Sequence, residues 1–448
     1  MAMGTLPKLD IAEGVVLLAV APVLVLPTAY PVLTTVGLAA LSVVWCARLV
    51  RHDLLPETSL NGALLVWMVT VVVGYGVTAF PDLALPKATG ILLGIAVWSL
   101  VLRLRDRGVG AQMLSLGLAL VGLVSAGLGV LATDWPAKVP VLESLLMYLP
   151  SILVRVPGAP EAGVHANELG GAVAPFVPLG VSLLLATTMH HTGSARLASW
   201  TSGSLIAVGL VSLGLAVFSQ SRSAWLGVVG GIGAVVALWS WLAPSRRVAW
   251  LLRAVLAVGF LVGMGVALWL GPVRLLRLVE EPGQLEALGG VSTLGFRVEV
   301  WRWALVAISD FPFTGCGLGS FREVGRLLYP MAIAPNYDYA HAHNIFLQVA
   351  LDTGIPGLIA YLALLATSAA VLWRAARWQA ALRPLAIGLI GGLVALHIYG
   401  LTDALAPGAK PGLVFWYMLG LIGAIGGQPD SWRKENLPYE RGSTRSGD

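Results

Sequence analysis

The sequence predicts an all-helical polytopic membrane protein, and composition and apolar periodicity both point to that class. Hydrophobic residues make up 57% of the 448 residues, and charged residues make up only 11%. A soluble domain carries roughly 25% charged residues, so the composition excludes an ordinary soluble protein. The second observation is a succession of apolar windows close to the ~20 residues that a helix needs to cross the hydrocarbon core.

About twelve apolar windows of spanning length follow one another along the chain. Pro27 and Pro31, at the junction of the first two windows, predict a tight turn there. The longest polar stretch follows the ninth window, and its scattered charges cannot lie in lipid. The predicted spans are 12–29, 31–49, 60–79, 88–103, 111–132, 169–189, 197–218, 224–243, 249–270, 346–371, 384–401 and 411–427.

The basic residues predict the orientation of the chain in the membrane. Arginines cluster in alternate short connections, whereas the opposite connections carry few, which predicts that both termini are cytoplasmic. This distribution accounts for the net charge of +5 without a nucleic-acid partner. Residues 1–427 are predicted to form one transmembrane domain with large periplasmic loops at about 133–168 and 271–345, and 428–448 a disordered cytoplasmic tail.

The second periplasmic loop is predicted to contain an amphipathic helix at 292–309 that lies at the membrane surface. Asp310 and Pro312 end this pattern, and three glycines at 315, 317 and 319 predict turns. A nucleotide-binding reading of these glycines is not favoured, because no strand precedes them. The tenth span should kink near Gly354. Two cysteines predict neither a disulfide framework nor a metal site.

Two arginines on the outer side are candidate ligands for an anionic substrate. Arg222 follows Ser221 in a turn between two spans, where a charge is unfavourable unless it is paired or faces water. Arg297 lies near the start of the loop helix. Arg222 alone is about equally well explained as an arginine that contacts lipid headgroups, and Arg297 alone is better explained as an ordinary solvated charge on a helix. Together they could clamp a diphosphate, because guanidinium groups bind phosphate oxygens in a bidentate manner and keep their charge.

A His-x-His-Asn cluster, His341 to Asn344, precedes the tenth span at the outer interface. Histidine titrates near neutral pH, so one of these side chains can act as a general base. The alternative is a histidine that only hydrogen-bonds to the backbone at a helix start. No metal site is predicted, because residues i and i+2 point in different directions on a helix or strand. Asn167, at the head of the sixth span, is either a polar cap or part of the site.

These residues occur in an order that resembles a known family. Asn167 is followed by a Ser-Arg-x-x-Trp turn at 221–225 and by Arg-x-x-x-Trp at 297–301. Pro-x-x-Gly-x-Gly-x-Gly-x-Phe at 312–321 and His-Asn at 343–344 come next, and Gly-x-x-Gly at 354–357 closes the set. Over about residues 165–360 the sequence is similar to the O-antigen ligase and O-antigen polymerase superfamily of bacterial inner-membrane glycosyltransferases.

The resemblance implies a GT-C-type fold with an active site in a periplasmic cavity. It implies an inverting transfer of a glycan from undecaprenyl diphosphate to an acceptor hydroxyl, without metal or cofactor. The acceptor would be lipid A–core for a ligase or a lipid-linked glycan for a polymerase, and the shared motifs do not separate the two. His341 departs from the bare His-Asn pattern, so either histidine could act. The implied roles are His343 as catalytic base, Arg222 and Arg297 as diphosphate ligands, and Asn167, Ser221, His341 and Asn344 as supporting residues.

A transporter of a polar or anionic solute, such as bicarbonate, is the alternative function. Twelve spans and a polar pair of His397 with Asp403 near the eleventh span are compatible with it. The sequence contains no inverted repeat and no matched pair of helices broken by glycine or proline, which transporters of this kind often have. The polar residues of the large outer loops also suit an enzyme better than a binding site at the membrane midplane.

Overall fold

The computed structural model describes residues 8–133, 135, 166–189, 199–243, 245–279, 293–329, 341–405 and 407–427. These residues form helices joined by turns and loops, without a β-strand, which confirms the all-helical class. The predicted tail and most of the predicted loop at 133–168 lie outside the described residues. The helices are α1 (Lys8–Val25), α2 (Pro31–Val50), α3 (Asn61–Gly76), α4 (Pro81–Asp106), α5 (Ala111–Ala132), α6 (Ala166–Val173), α7 (Phe176–Met189), α8 (Ser199–Phe218), α9 (Arg222–Leu242), α10 (Arg246–Val279), α11 (Thr293–Asp310), α12 (Phe321–Leu328), α13 (Ile345–Trp378), α14 (Arg383–Tyr399) and α15 (Leu413–Gly426), with a 3₁₀ turn at Lys410–Gly412.

Eight segments of the described chain are helical, long and apolar enough to cross a membrane, which confirms the polytopic membrane class. Asn61–Gly76, Arg383–Tyr399 and Lys410–Gly426 are apolar but shorter. Every predicted window overlaps one of these segments or α1, and the count of twelve spans and the assignment of sides stay predictions. The eight segments are Pro31–Val50, Pro81–Asp106, Ala111–Leu131, Ala166–Met189, Trp200–Phe218, Arg222–Leu242, Arg246–Arg274 and Ile345–Trp378.

Helix α1 is fastened to α2 and α4 by a buried ionic cluster. Arg48 of α2 is fully buried and contacts the carboxylates of Asp10 and Asp53 at 2.8 Å each, as well as Glu13. Arg103 of α4 contacts Asp53 at 2.9 Å and Glu13 at 3.3 Å. Charges this deeply buried are tolerated only when they are paired. The whole cluster comprises Asp10, Glu13, Arg48, Asp53, Arg103 and Arg107, three carboxylates against three guanidinium groups.

Helices α14 and α15 occupy the centre of the bundle. Most of their residues are buried, and α14 packs against α7, α9 and α13 while α15 packs against α4 and α13. Small residues allow these helices to approach closely, as is common between membrane helices. At Gly94 of α4, a Cβ atom would lie 2.2 Å from the Trp416 ring, so only glycine fits opposite that side chain. Trp416 is fully buried, and its indole N–H donates to the Pro407 carbonyl at 2.8 Å.

The glycine-rich segment between α11 and α12 is a loop that packs over the start of α13. Gly315, Gly317 and Gly319 have φ values of 68°, 94° and 71°, a region that favours glycine. The Cys316 N–H donates to the Leu351 carbonyl of α13 at 2.8 Å. That carbonyl lies just before Gly354, whose φ of 73° interrupts α13. The predicted turn glycines, the predicted kink and a helix close to the predicted 292–309 are therefore confirmed, and the position of that helix at the membrane surface stays a prediction.

The ionic cluster predicts that Arg48→Met strongly destabilises the protein. Removing one partner of a buried ion pair leaves uncompensated charge and costs about 3–5 kcal/mol. We expect a clear fall in the melting temperature of the purified protein in detergent. Arg51→Met, an exposed arginine at the end of the same helix, is the matched control and should leave the melting temperature unchanged. Equal melting temperatures for the two variants would contradict a stabilising role of the cluster.

Candidate active site

The polar turn at 341–344 is held in place by the helix that follows it and by the end of α14. Asn344 caps α13, since its Oδ1 accepts the N–H groups of Phe346 and Leu347 at 3.0 and 3.1 Å. Its Nδ2 donates to the Leu401 carbonyl at 3.1 Å, and the Ile345 N–H donates to the Gly400 carbonyl at 2.7 Å. The start of α13 therefore lies directly against the connection that leaves α14.

This contact brings Asp403 to the two histidines. The Asp403 Oδ1 lies 3.5 Å from His341 Nε2 and 3.8 Å from His343 Nδ1. The two imidazole rings have centroids 4.4 Å apart. His343 has a φ of 48°, which places both rings on one side of the turn although the residues are only two apart. The expectation that the two side chains point in different directions was therefore wrong.

Hydrogen bonds distinguish the two histidines. The backbone N–H of His343 donates to His341 Nδ1 at 3.1 Å, so the proton of a neutral His341 ring is on Nε2, the nitrogen that faces Asp403. His341 thus has no lone pair left to accept a substrate proton. The Nδ1 of His343 is buried beside Asp403, while part of its ring reaches solvent. The Nε2 of His343 is the nitrogen that remains for proton transfer.

The electrostatics of the cluster give His341 and Asp403 different charges at neutral pH. Burial lowers the pKa of His341 to about 4, and His343, Lys87 and Arg297 act in the same direction while Asp403 opposes them. Burial by itself would raise the pKa of Asp403, but the two imidazoles and the Ala404 N–H hold it well below its ordinary value. At neutral pH the site therefore contains an ionised Asp403 beside a neutral His341.

Three donors of this cluster could face one metal ion, because their ligand atoms all lie within 4.8 Å of one another. The hydrogen bond to His341 Nδ1 acts against that use. A metal ion on Nε2 would require the ring proton to move to Nδ1, where it would oppose the His343 N–H. The absence of a metal, expected from the sequence, stays a prediction.

Arg297 lies near the start of α11, the helix that precedes the glycine loop, and it is close to the histidines. The preceding residue, Phe296, is buried, and its ring packs edge-on against His343 with centroids 6.2 Å apart. Arg297 itself is half-buried, and its charge acts on His341. The predicted diphosphate ligand on the loop helix is therefore near the predicted base.

Arg222 begins α9, directly after its cap. Ser221 is buried and accepts the Ala224 N–H on its side-chain oxygen at 3.3 Å, which explains it as a helix cap. The hydroxyl of Thr402 donates to the Ser223 hydroxyl at 2.8 Å. The first turn of α9 is thus bonded to the residue that precedes Asp403 in the chain.

Helix α6 supplies two further polar residues next to these elements. Asn167 is buried in the first turn of α6. Glu168 is close enough to Asp403 and Lys410 to interact with both charges. At Gly170, a Cβ atom would lie 2.6 Å from the Ser219 hydroxyl, so α6 packs closely against the turn that precedes Arg222. The predicted supporting residue Asn167 therefore lies on a helix in contact with that turn.

Asp403 is the residue whose role was missed in the sequence, where it was paired with His397. The His397 ring instead contacts the Tyr361 hydroxyl at 2.9 Å and the Leu393 carbonyl at 2.7 Å. Asp403 is separated from the His341–His343 motif by an entire span, so no local pattern connects them. The only available signal was a carboxylate just beyond the end of an apolar helix, which is a functional candidate by default.

Comparison with known proteins supports the resemblance given by the motifs. Residues 205–362 match the family model described as O-antigen ligase. The match confirms the predicted resemblance to the O-antigen ligase and polymerase superfamily, and it supports an O-antigen ligase-like role in polysaccharide biosynthesis at a bacterial membrane. Arg222, Arg297 and His343 lie inside the matched segment, whereas Asn167 and Asp403 lie outside it. No curated protein matches the chain.

The contacts of Asn344 predict graded effects of two substitutions. Asn344→Ala removes both the cap and the bond to Leu401, whereas Asn344→Ser keeps a capping oxygen and removes only the second bond. Loss of a cap costs about 0.5–2 kcal/mol. We expect melting temperatures in the order wild type, Asn344→Ser, Asn344→Ala, from highest to lowest. Thr367→Ala, a partly exposed position on the same helix, is the control, and the reverse order for the Asn344 variants would refute the cap.

Proposed function

We propose that this protein is an inverting, metal-independent glycosyltransferase. It would move a glycan from undecaprenyl diphosphate to an acceptor hydroxyl at the periplasmic face of the bacterial inner membrane. The observation that carries the proposal is the pairing of His343, which reaches solvent, with a buried, ionised Asp403. Arg297 lies close to this pair, and Thr402, the neighbour of Asp403, donates a hydrogen bond to Ser223 in the helix that begins at Arg222. The match of residues 205–362 to the O-antigen ligase family supports a glycosyltransferase-like reaction.

His343 acts as the general base in this proposal. Its Nε2 takes the proton of the acceptor hydroxyl while the hydroxyl oxygen attacks the anomeric carbon of the donor sugar. The bond from that carbon to the diphosphate oxygen breaks, and the diphosphate leaves with the electron pair. One displacement from the opposite face inverts the anomeric configuration. Asp403, beside Nδ1, orients the ring and stabilises the imidazolium that forms.

Arg222 and Arg297 hold the diphosphate. Negative charge grows on the leaving diphosphate as the sugar–oxygen bond breaks, and a preorganised guanidinium stabilises that charge in a site shielded from water. Arginine stays protonated throughout, so two such groups can replace a divalent cation. Asn344 serves by capping the helix that follows His343, Ser221 serves by capping the helix that begins at Arg222, and His341 serves by accepting the His343 N–H.

The transporter alternative receives less support. It requires an open cavity at the membrane midplane around His397, whose ring is in contact with Tyr361 and lies close to the aromatic rings of Phe346 and Phe415. Such packing fits a structural histidine that is satisfied by its neighbours. The polar groups of the candidate site instead lie in the turn before α13 and in the connection after α14. The acceptor is either lipid A–core or a second lipid-linked glycan.

Single substitutions test the assigned roles in a transfer assay with purified protein and a lipid-linked donor. We expect His343→Ala to lower the turnover rate by about 10²–10⁴-fold, because it removes the general base. Arg222→Ala and Arg297→Ala should each lower it by about 10²–10³-fold, because each removes a charge that stabilises the leaving group. His52→Ala, at the end of α2, is the matched control. Full activity of His343→Ala, with normal membrane insertion, would disprove the base role.

Chelation tests the metal-independent part of the mechanism. Because two guanidinium groups take the place of a cation, transfer by protein treated with EDTA should proceed at the rate of the untreated protein. The measurement is the initial rate of transfer by untreated protein and by protein treated with EDTA that is then removed, each with and without added Mg²⁺. A loss of activity that Mg²⁺ restores would show that the arginines do not suffice.

A further inference from the structure

A chain of buried polar side chains runs from α4 to the peptide between the two histidines. Lys87 of α4 donates to the Asp352 Oδ2 at 2.7 Å. The Asp352 Oδ1 accepts from the Gln348 Nε2 at 3.0 Å and from the Gly319 N–H at 3.0 Å. The Gln348 Oε1 in turn accepts the Ala342 N–H at 2.9 Å. Lys87 and Ala342 thus belong to one continuous network.

We propose that Gln348 and Asp352 are positioning residues for the base of the transferase. They would fix the backbone on the N-terminal side of His343, and the positive charge of Lys87 would balance the negative charge of Asp352. This inference rests on the proposed function for its effect on catalysis. Neither Gln348 nor Asp352 was singled out as functional in the sequence.

The orientation of the Gln348 amide is fixed by its partners. An ionised Asp352 only accepts hydrogen bonds, so it must face the NH₂ group of Gln348. A backbone N–H only donates, so Ala342 must face the carbonyl oxygen of Gln348. Gln348 is 2% exposed and Asp352 is 4% exposed, so water is a poor substitute for either partner. The network therefore admits a single arrangement.

His343 lies between two anchors. On its N-terminal side, Ala342 is fully buried in the same apolar cluster as Phe296 and Leu351, and its N–H is held by Gln348. On its C-terminal side, Ile345 is bonded to Gly400. The residue between the anchors has a φ of 48°, which a histidine rarely adopts without such constraint. Release of the first anchor would let the turn relax and carry the ring away from Asp403.

The network also connects the site to two other elements. Through Gly319, Asp352 holds the glycine loop that follows α11, the helix carrying Arg297. Through Lys87, it reaches α4, and the Lys87 side chain is partly exposed and acts electrostatically on His341. The Asp352 carboxylate thus fixes the relative positions of the turn that contains His343, the glycine loop after the Arg297 helix, and α4.

Gln348→Met tests the proposal, because methionine has nearly the same size and offers no comparable hydrogen bond. We expect turnover to fall by about 10²-fold, since an error of about 1 Å in placing a base has that effect. The donor KM should stay within about twofold of the wild-type value, because Arg222 and Arg297 are untouched. The Ala342 amide should exchange with deuterated solvent roughly tenfold faster. Gln379→Met, at the far end of α13, is the control and should change none of these quantities.

A second pair of variants separates positioning from folding. Asp352→Asn leaves Lys87 facing an amide, and Lys87→Met combined with Asp352→Asn removes that unpaired charge while the asparagine oxygen still accepts from Gln348. We expect turnover of the double variant to exceed that of Asp352→Asn by about tenfold. Melting temperatures reported with each rate show whether a loss of turnover follows from unfolding.

The outcomes distinguish this inference from the proposed function. Wild-type turnover in folded Gln348→Met overturns the positioning role, as does a large rise in donor KM with unchanged turnover. If the wild-type protein transfers no glycan, the proposed function fails. Exchange at Ala342 still tests the network in that case, and an unchanged exchange rate in Gln348→Met would overturn it.

Discussion

The contact between the start of α13 and the end of α14 is the constraint on which the candidate active site depends. Two hydrogen bonds to backbone carbonyls, from Ile345 to Gly400 and from Asn344 to Leu401, hold these segments together. Both acceptors are carbonyls just beyond the end of α14, which have no partner within that helix. Because the two segments meet there, Asp403 lies beside His343, although the two residues are far apart in the sequence.

The other charged elements are arranged around this contact. A hydroxyl pair bonds the connection after α14 to the first turn of the Arg222 helix, and Phe296 brings the Arg297 helix against the His343 ring. Arg222, His343 and Asp403 of the candidate site therefore lie at a helix start or in connections that are hydrogen-bonded to a helix end, and Arg297 lies near the start of α11. Burial keeps His341 neutral by lowering its pKa, whereas the neighbouring imidazoles and the Ala404 N–H keep Asp403 ionised by lowering the pKa of its carboxyl.

The sequence by itself determined the membrane class, the positions of the apolar helices and several local features of the large loop. The helix at 293–310, the turn glycines and the interruption at Gly354 all agree with expectation. These features depend on apolar content, on glycine's access to positive φ and on proline's effect on helices, which act over a few residues. The ordered motifs also predicted the family that residues 205–362 match.

Tertiary packing alone decided which polar groups share a site. The sequence paired Asp403 with His397 and separated the rings of His341 and His343, and both expectations were wrong. Lys87 and Asp352 form an ion pair across 265 residues. Local patterns report how much of a helix is apolar and where it ends, but not which helix ends meet. That choice follows from the close packing of small residues across the bundle, which depends on the whole chain at once.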